Sequence, residues 1–544
     1  MDKGQAIGWR DSTGRAGLAL LAVWAGASLV LAPPLPLPGA GPSYPGLSLE
    51  AALALAVLGR YRGRRARALL TFLLLSLSLL VLADRVARAG LGRAFNPVLD
   101  LPLAPALAEV AGDALGGGAI PVLAAILGGL ALAFWWALGR AASVLSRPAG
   151  RVAFGGLAVA AIACCGIQWA LPAGFWRPVT FEPARTVVAQ ARGTAATLAR
   201  MGAFRRALEG DPYRDAVPVF AGLGGADVVV IFVESYGMAA IDDPELSPPI
   251  RSRLSDFAAR AGRAGVFQLS GQLVSPTVGG QSWLAHATLL GGIEIRDDLS
   301  YRLLLAGDRP SLVHLFGRAG YRTAGVMPAI TRPWPEGALM GFDALYPAAA
   351  MGYAGPPWYW GTVPDQFALA FLERQERQGG ARAPLFAVVA LISSHAPWTP
   401  VPEVVAWADL GDGSVFGRFV GRGRPAEVVW RDPVAIRAAY VQAVSYSLET
   451  LSAWAERFVD RRTLAIIVGD HQPAPVVTGA GAPATVPIHV LSGDEGLLAP
   501  FRERGFVAGM LPRGGPVLTM AAFRDLLLDA YDAGVVEAAG AFDD

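Results

Sequence analysis

"DVVVIFVESYG", residues 227–237, is the stretch on which the fold of this chain turns. Val228 to Ile231 are four β-branched residues in a row, and Phe232 and Val233 extend the apolar run. A run apolar on both faces suits a strand inside a parallel sheet, covered by helices on each side. Glu234 and Ser235 follow at once, at the strand end where open α/β sheets hold their ligands. A carboxylate there either caps a helix or binds a ligand.

Downstream, strand-like and helix-like stretches alternate. "PPIRSRLSDFAARAG" (248–262) and "PSLVHLFGRAG" (310–320) predict helices, as do 433–460 and the late "MAAFRDLLLDAYD". "YRTAGVM" (321–327), "PLFAVVALIS" (384–393), "TLAIIVG" (463–469) and "VPIHVLS" (486–492) predict strands. This order implies an α/β domain over 223–544 built on a mostly parallel central sheet. The Gly-, Arg- and Trp-rich stretch 401–432 is expected to be a surface excursion near whatever the domain binds.

Upstream the composition changes. The chain is 53% hydrophobic, and the excess lies in residues 1–175, which predict a transmembrane region of five helices. The apolar segments begin at Gly17, Leu47, Ala68, Gly118 and Val152. The second and third are short and Glu50 lies in the second, so four spans or a re-entrant pair is the alternative. The basic loops Arg60–Arg67 and Gly139–Arg151 share a side only if all five segments cross. The positive-inside tendency then puts both in the cytoplasm and everything after Leu171 outside. Arg85, Arg88 and Arg93 run against that arrangement. Residues 176–222 form a juxtamembrane linker, with one or two helices expected over 182–210, either along the membrane surface or as a plain connection. No cleavable leader is evident in the first apolar run.

A net charge of +2 gives no footprint for a nucleic-acid partner. The two cysteines, Cys164 and Cys165, fall in the fifth segment as packing residues, so the outer domain has no disulfide framework.

Chemistry-bearing residues gather at strand ends. Glu234 follows the first strand, "SSHAPW" (393–398) the third and "GDHQP" (469–473) the fourth, while His489 lies inside the fifth. Carboxylates and imidazoles brought together in a desolvated cleft call for a cation. Oxygen and nitrogen donors without sulfur suit zinc or manganese. A nucleophile is offered by "SPTVGGQSWLAHATLLGG" (275–292), where Ser282 follows Gly279, Gly280 and Gln281 at a helix start. Helix-start N–H groups favour an anion there; a simple N-cap is the equal alternative. Ser275 and Thr277 are nearby rivals, and His489 is a reserve ligand.

Apolar N-terminal segments, a linker helix, "FVES", a glycine-preceded Ser and a late G-D-H together resemble the lipoteichoic acid synthase and periplasmic glucan phosphoglycerol transferase family. That family lies in the sulfatase-like (alkaline phosphatase) superfamily. The resemblance implies Glu234, Ser282, Asp470 and His471 as ligands of one divalent metal ion, Mn or Zn, with Ser282 as the catalytic nucleophile. It implies His395, Arg332, Trp334 and His286 on the substrate side, Arg332 with a one-position shift relative to "GFD" (341–343). Ser282 stands where the family has threonine, and His286 where it has an acidic residue. Neither "SWLAH" nor "SPTVG" fits the C/S-x-P-x-R pattern of a true sulfatase. The implied activity moves a phospholipid head group, phosphoglycerol-like, to an envelope glycan or other hydroxyl through a phosphoseryl intermediate. The implied location is the bacterial cytoplasmic membrane, multi-pass, with the catalytic domain on the extracytoplasmic side. A phosphate or sulfate ester hydrolase of the same fold, a phosphoethanolamine transferase and a non-catalytic head-group binder remain the alternatives.

Overall fold

The computed structural model describes residues 3–31, 46–61, 63–91, 93–104, 119–170, 179–358, 363–378, 382–479 and 481–532. The chain divides into two compact units, 1–199 and 200–544.

Among the described residues of the first unit, four helices are long and apolar enough to cross a membrane: α1 (Lys3–Leu31), α3 (Arg64–Leu91), α4 (Ala119–Leu145) and α5 (Pro148–Ala170). The expectation of five such helices is corrected. The segment from Leu47 gives β1 (Leu47–Ser48) and then α2 (Leu49–Arg60), a helix of 12 residues. At 1.5 Å per residue it is about 18 Å long, against a hydrocarbon thickness of about 30 Å. Ser48 fixes its start, its Oγ accepting from Ala51 N, and the basic run from Arg60 ends it.

The stretch from β1 through α2 into the start of α3 joins opposite ends of this unit. β1 pairs in parallel with β2 (Val179–Thr180), which Gln168 near the end of α5 binds through Val179. At the other end of α2, Arg67 lies 3.6 Å from the Trp135 ring of α4 and against Gly139. Arg67, at the start of α3, and the segment that begins at Gly139 therefore share one end of the unit. The three contrary arginines are neutralised locally: Arg85 by Glu182 (2.6 Å), Arg88 by Asp84 (2.7 Å) and Arg93 by Asp100 (2.5 Å). The linker forms a single helix, α6 (Glu182–Glu209), within which the two units divide.

The second unit is built on a nine-stranded mixed sheet. Its strands are β3 (Asp227–Val233), β4 (Phe267–Val274), β5 (Arg322–Met327), β6 (Ala344–Pro347), β7 (Leu385–Leu391), β8 (Thr463–Gly469), β9 (Thr485–Ser492), β10 (Val507–Ala508) and β11 (Val517–Thr519). The order is β10-β4-β9-β8-β3-β7-β5-β6, with β11 beside β4. β8, β3, β7, β5 and β6 run parallel, and β9 turns antiparallel to β8.

The reading of 227–233 holds in detail. All seven residues are buried, and alternate side chains enter different layers. Val229, Ile231 and Val233 join α7 (Ser247–Arg263), α10 (Asp365–Leu372) and α11 (Pro433–Phe458). Val228, Val230 and Phe232 join α8 (Ser282–Gly291), α9 (Leu312–Arg318) and α12 (Ala522–Tyr531). Register then does the positioning: Val233 pairs with Leu391 on one side and Gly469 on the other. The three chain segments leaving these strands start level with one another.

Candidate metal centre and nucleophile

Glu234, Asp470 and His471 each present one ligand atom, all within 4.8 Å of one another, and all three are buried. Close backbone approach makes this possible. A β-carbon on Gly469 would stand 1.8 Å from Tyr236 O, so β8 passes under the 234–237 turn only because that residue is glycine. Ser235 takes a left-handed φ of 55°, and its N–H donates to Asp470 Oδ1 at 2.8 Å.

Ser282 completes the group. Its Oγ donates to Glu234 Oε2 at 2.7 Å and lies 3.2 Å from His471 Nε2. The turn before it runs through positive φ at Gly279, Gly280 and Gln281 (77°, 147° and 62°), which swings Ser282 in at the first residue of α8. Ser282 is half-buried, unlike the three ligands behind it, so a substrate can reach it. The rivals are engaged elsewhere: Ser275 Oγ donates to Asp470 O at 2.6 Å, and Thr277 Oγ1 donates to Gly280 O.

His471 Nδ1 is 2.7 Å from the carbonyl of Gln472, which can only accept, so the proton sits there and Nε2 is the ligand nitrogen. Burial alone would lower this imidazole; Asp470 and Glu234 outweigh burial and push it up to about 9. Burial would raise the Glu234 carboxyl, but His471, His395 and the Ser282 hydroxyl hold it well below its usual range. Asp470 is raised by burial and by the Glu234 charge. Two buried carboxylates facing one imidazole form a donor set with excess negative charge, which a divalent cation fits.

The other predicted residues divide. His395, half-buried beyond β7, is near enough to help lower Glu234, and its neighbour Ser394 donates to Glu234 O at 2.6 Å. The His286 ring lies tilted against Phe232, the centroids 4.0 Å apart, one turn along α8 from Ser282. Its Nε2 lies 3.9 Å from Asp470 Oδ2, buried and without a hydrogen-bond partner. Arg332 is exposed on the turn after β5, and Trp334 is half-buried against the apolar layer beneath it. His489 is not brought to the cluster. Tyr236 Oη and Ser270 Oγ meet its two nitrogens at 3.2 and 2.8 Å, and burial pushes it down to about 3. A residue the sequence did not single out is Asp365, whose buried carboxylate receives the chain leaving β7.

Residues 294–487 match the family model described as Sulfatase. The match takes in Arg332, His395, Asp470 and His471, while Glu234 and Ser282 lie before it. No curated protein matches the chain. Among solved structures it is similar to the phosphoglycerol transferase GacH of Streptococcus pyogenes in complex with sn-glycerol-1-phosphate (12% identity, 63% of this chain, 86% of that chain, TM-score 0.40). It is also similar to the lipoteichoic acid synthase LtaP of Listeria monocytogenes (14% identity, 57% of this chain, 73% of that chain, TM-score 0.36). The zinc complex of the C-terminal periplasmic domain of EcEptC from Escherichia coli is a third (14% identity, 57% and 84%, TM-score 0.36).

Proposed function

We propose that this protein is a membrane-anchored, metal-dependent phosphotransferase that moves a phospholipid head group, phosphoglycerol-like, to an envelope glycan hydroxyl through a phosphoseryl intermediate on Ser282. The observation that carries this reading is the convergence of a half-buried serine hydroxyl on a buried Glu/Asp/His cluster, 2.7 Å from Glu234 and 3.2 Å from His471.

Glu234, Asp470, His471 and Ser282 would hold one Mn or Zn ion. When bound, such a cation lowers the pKa of a coordinated hydroxyl and withdraws charge from a phosphoryl oxygen. The protein's own groups supply the rest. Glu234 orients the Ser282 hydroxyl through its hydrogen bond, and the N-terminal N–H groups of α8 favour an anion beside Ser282. Ser282 Oγ forms a bond to phosphorus, its proton passing to Glu234 Oε2 and returning when the serine is released, as the bond from phosphorus to the diacylglycerol oxygen breaks. His395 delivers a proton to that oxygen and in the second half-reaction takes one from the acceptor hydroxyl. Arg332 and His286 are assigned to charge on the non-bridging oxygens, and Trp334 to the wall beside them.

Four helices long and apolar enough to cross a membrane, among the described residues, support a lipid donor. The shared end of the two basic loops, opposite β1 and β2, supports an extracytoplasmic site. The Sulfatase match favours one second reading, an ester hydrolase in which water replaces the glycan hydroxyl.

The test supplies the purified full-length protein with phospholipids labelled in the head group, with and without glycan, and analyses Ser282 by mass spectrometry. A head-group phosphate on Ser282, discharged to glycan and absent in Ser282→Ala, is expected. Ser282 does not cap α8, whose N-cap position is Gln281, so Ser282→Ala removes a hydroxyl bonded to Glu234 rather than a helix cap, and the variant should stay folded. Discharge to water only would establish the hydrolase instead, and a labelled Ser282→Ala protein would remove Ser282 as nucleophile.

A further inference from the structure

The carboxylate of Asp365 is fully buried, and the partners that meet it are neutral donors. Oδ1 accepts from two successive backbone N–H groups, Ile392 at 2.9 Å and Ser393 at 2.8 Å, and Oδ2 accepts from Ser447 Oγ at 2.6 Å. Its own N–H donates back to Ser393 Oγ at 3.0 Å. Burying a carboxylate against uncharged partners is costly. As the first residue of α10, Asp365 has no need of that arrangement, since no side chain caps this helix. The arrangement does fix the point at which the chain leaves β7 and turns.

Two residues further on, the same loop is fastened to the metal centre. Ser394 Oγ donates to Glu234 O at 2.6 Å, and His395 N–H donates to Ile392 O at 3.0 Å. His395 Nδ1 is 2.6 Å from Ala396 O, a carbonyl that can only accept. The proton on Nδ1 is thereby fixed, and any proton exchanged with substrate is carried on Nε2. Asp365 holds one end of this short loop, the ligand strand holds the other, and His395 lies next to the second attachment.

We infer that Asp365 is a positioning residue for the transfer reaction: through the N–H groups of Ile392 and Ser393 it sets the His395 imidazole where it can protonate the departing oxygen. The inference rests on the reading of the site given above. As the Ser282 Oγ–phosphorus bond forms, the bond from phosphorus to the lipid oxygen breaks. Its electron pair stays on that oxygen, which takes the proton from His395 Nε2. A leaving group stable as an anion needs no such proton.

The experiment compares two phosphodiesters on the full-length protein, a labelled phospholipid and a 4-nitrophenyl phosphodiester. His395→Ala should lower turnover of the lipid roughly a hundredfold and that of the nitrophenyl ester far less. Asp365→Ala should reproduce this split with metal content unchanged, and adding it to His395→Ala should cost nothing more. Asp365→Asn keeps the oxygen that both N–H groups need and should restore most lipid turnover. If Asp365→Ala does not fold, Ser447→Ala serves, with a smaller loss confined to the lipid. Equal losses on both esters, or losses that multiply with those of His395→Ala, would overturn the inference. A wild-type protein that turns over neither ester would instead remove the reading of the site on which it rests.

Discussion

Ser282, Glu234, Asp470 and His471 could be picked out along the chain because each follows a pattern with a physical cause. Three continue straight from buried strands, and the fourth follows glycines before a helix. Proton balance turns their geometry into a measurement. Without a cation the His471 imidazole, pushed up to about 9, carries its proton at pH 7. Metal binding must displace that proton, so affinity rises with pH and levels off above about 9; below that it falls roughly tenfold per unit. Calorimetry in buffers of different ionisation enthalpy should therefore show about one proton released per Zn or Mn bound at pH 7. Asp470→Ala should bind little of either metal; retention of full stoichiometry would exclude Asp470 as a ligand. Asp365 was illegible for the converse reason. In "VPDQF" it reads as an ordinary helix start, and only folding brings Ile392, Ser393 and Ser447 to its carboxylate. His489 shows the same limit from the other side. Its position inside a strand gives no sign that Tyr236 and Ser270 occupy its ring nitrogens.

Among elements, the strands read correctly are those with unbroken apolar runs, and those missed are not. β4, "FQLSGQLV", lies second from the sheet edge with its ends exposed and Gln, Ser and Gly in its middle, so its apolar content is too low to announce a strand. It is held by pairing with β9, β10 and β11, which only the folded chain supplies. The placement of α8 likewise depends on distant sequence. Arg309 donates to the carbonyls of Gly291 and Gly292 at its C-terminal end and approaches Asp211 at 3.5 Å. Asp211 in turn grips the fully buried Arg524 of α12 with both oxygens, at 2.8 and 2.9 Å. Asp211→Ala would leave Arg524 charged and buried without its partner. The expected loss is about 3–5 kcal/mol, read as a lower midpoint in denaturant unfolding of the purified protein. A midpoint within error of the wild type would show that Pro310 O and Asp525, which also accept from Arg524, suffice.

For the whole molecule, the decisive question is which side of the membrane Ser282 occupies, since the proposed donor and acceptor, a lipid head group and an envelope glycan, meet only on the outer side. Counting long apolar helices among the described residues gives four, and four crossings would return the chain to the side on which it started. The short helix α2 alters that count. Its first residues follow a strand paired with Val179 and Thr180 beyond α5, and its last residues lead to Arg67 against Trp135 and Gly139, near the end of α4. Helix α5, 23 residues long, separates those two levels, and the chain passes from one to the other between Ser48 and Arg67, with α2 supplying only part of the distance. Glu50, which looked costly inside a span, explains the shortness. It lies in the first turn of α2, accepting from Ser48 Oγ at 2.6 Å and from Ala184 N at the start of α6, and so belongs to a polar cap outside the apolar stretch. The apolar part that remains, Ala51 to Leu58, is sheltered by α1, α3 and α4 rather than facing lipid along its whole length. If the chain does cross there, the positive-inside tendency puts the basic residues near Arg67 and at 139–151 in the cytoplasm and the chain beyond α5 on the opposite side. Reporter fusions after Arg65 and after Gly210 should accordingly report opposite compartments, the second extracytoplasmic. If both report the cytoplasm, α2 is re-entrant, the catalytic unit faces inward, and the acceptor must be sought among cytoplasmic hydroxyl compounds.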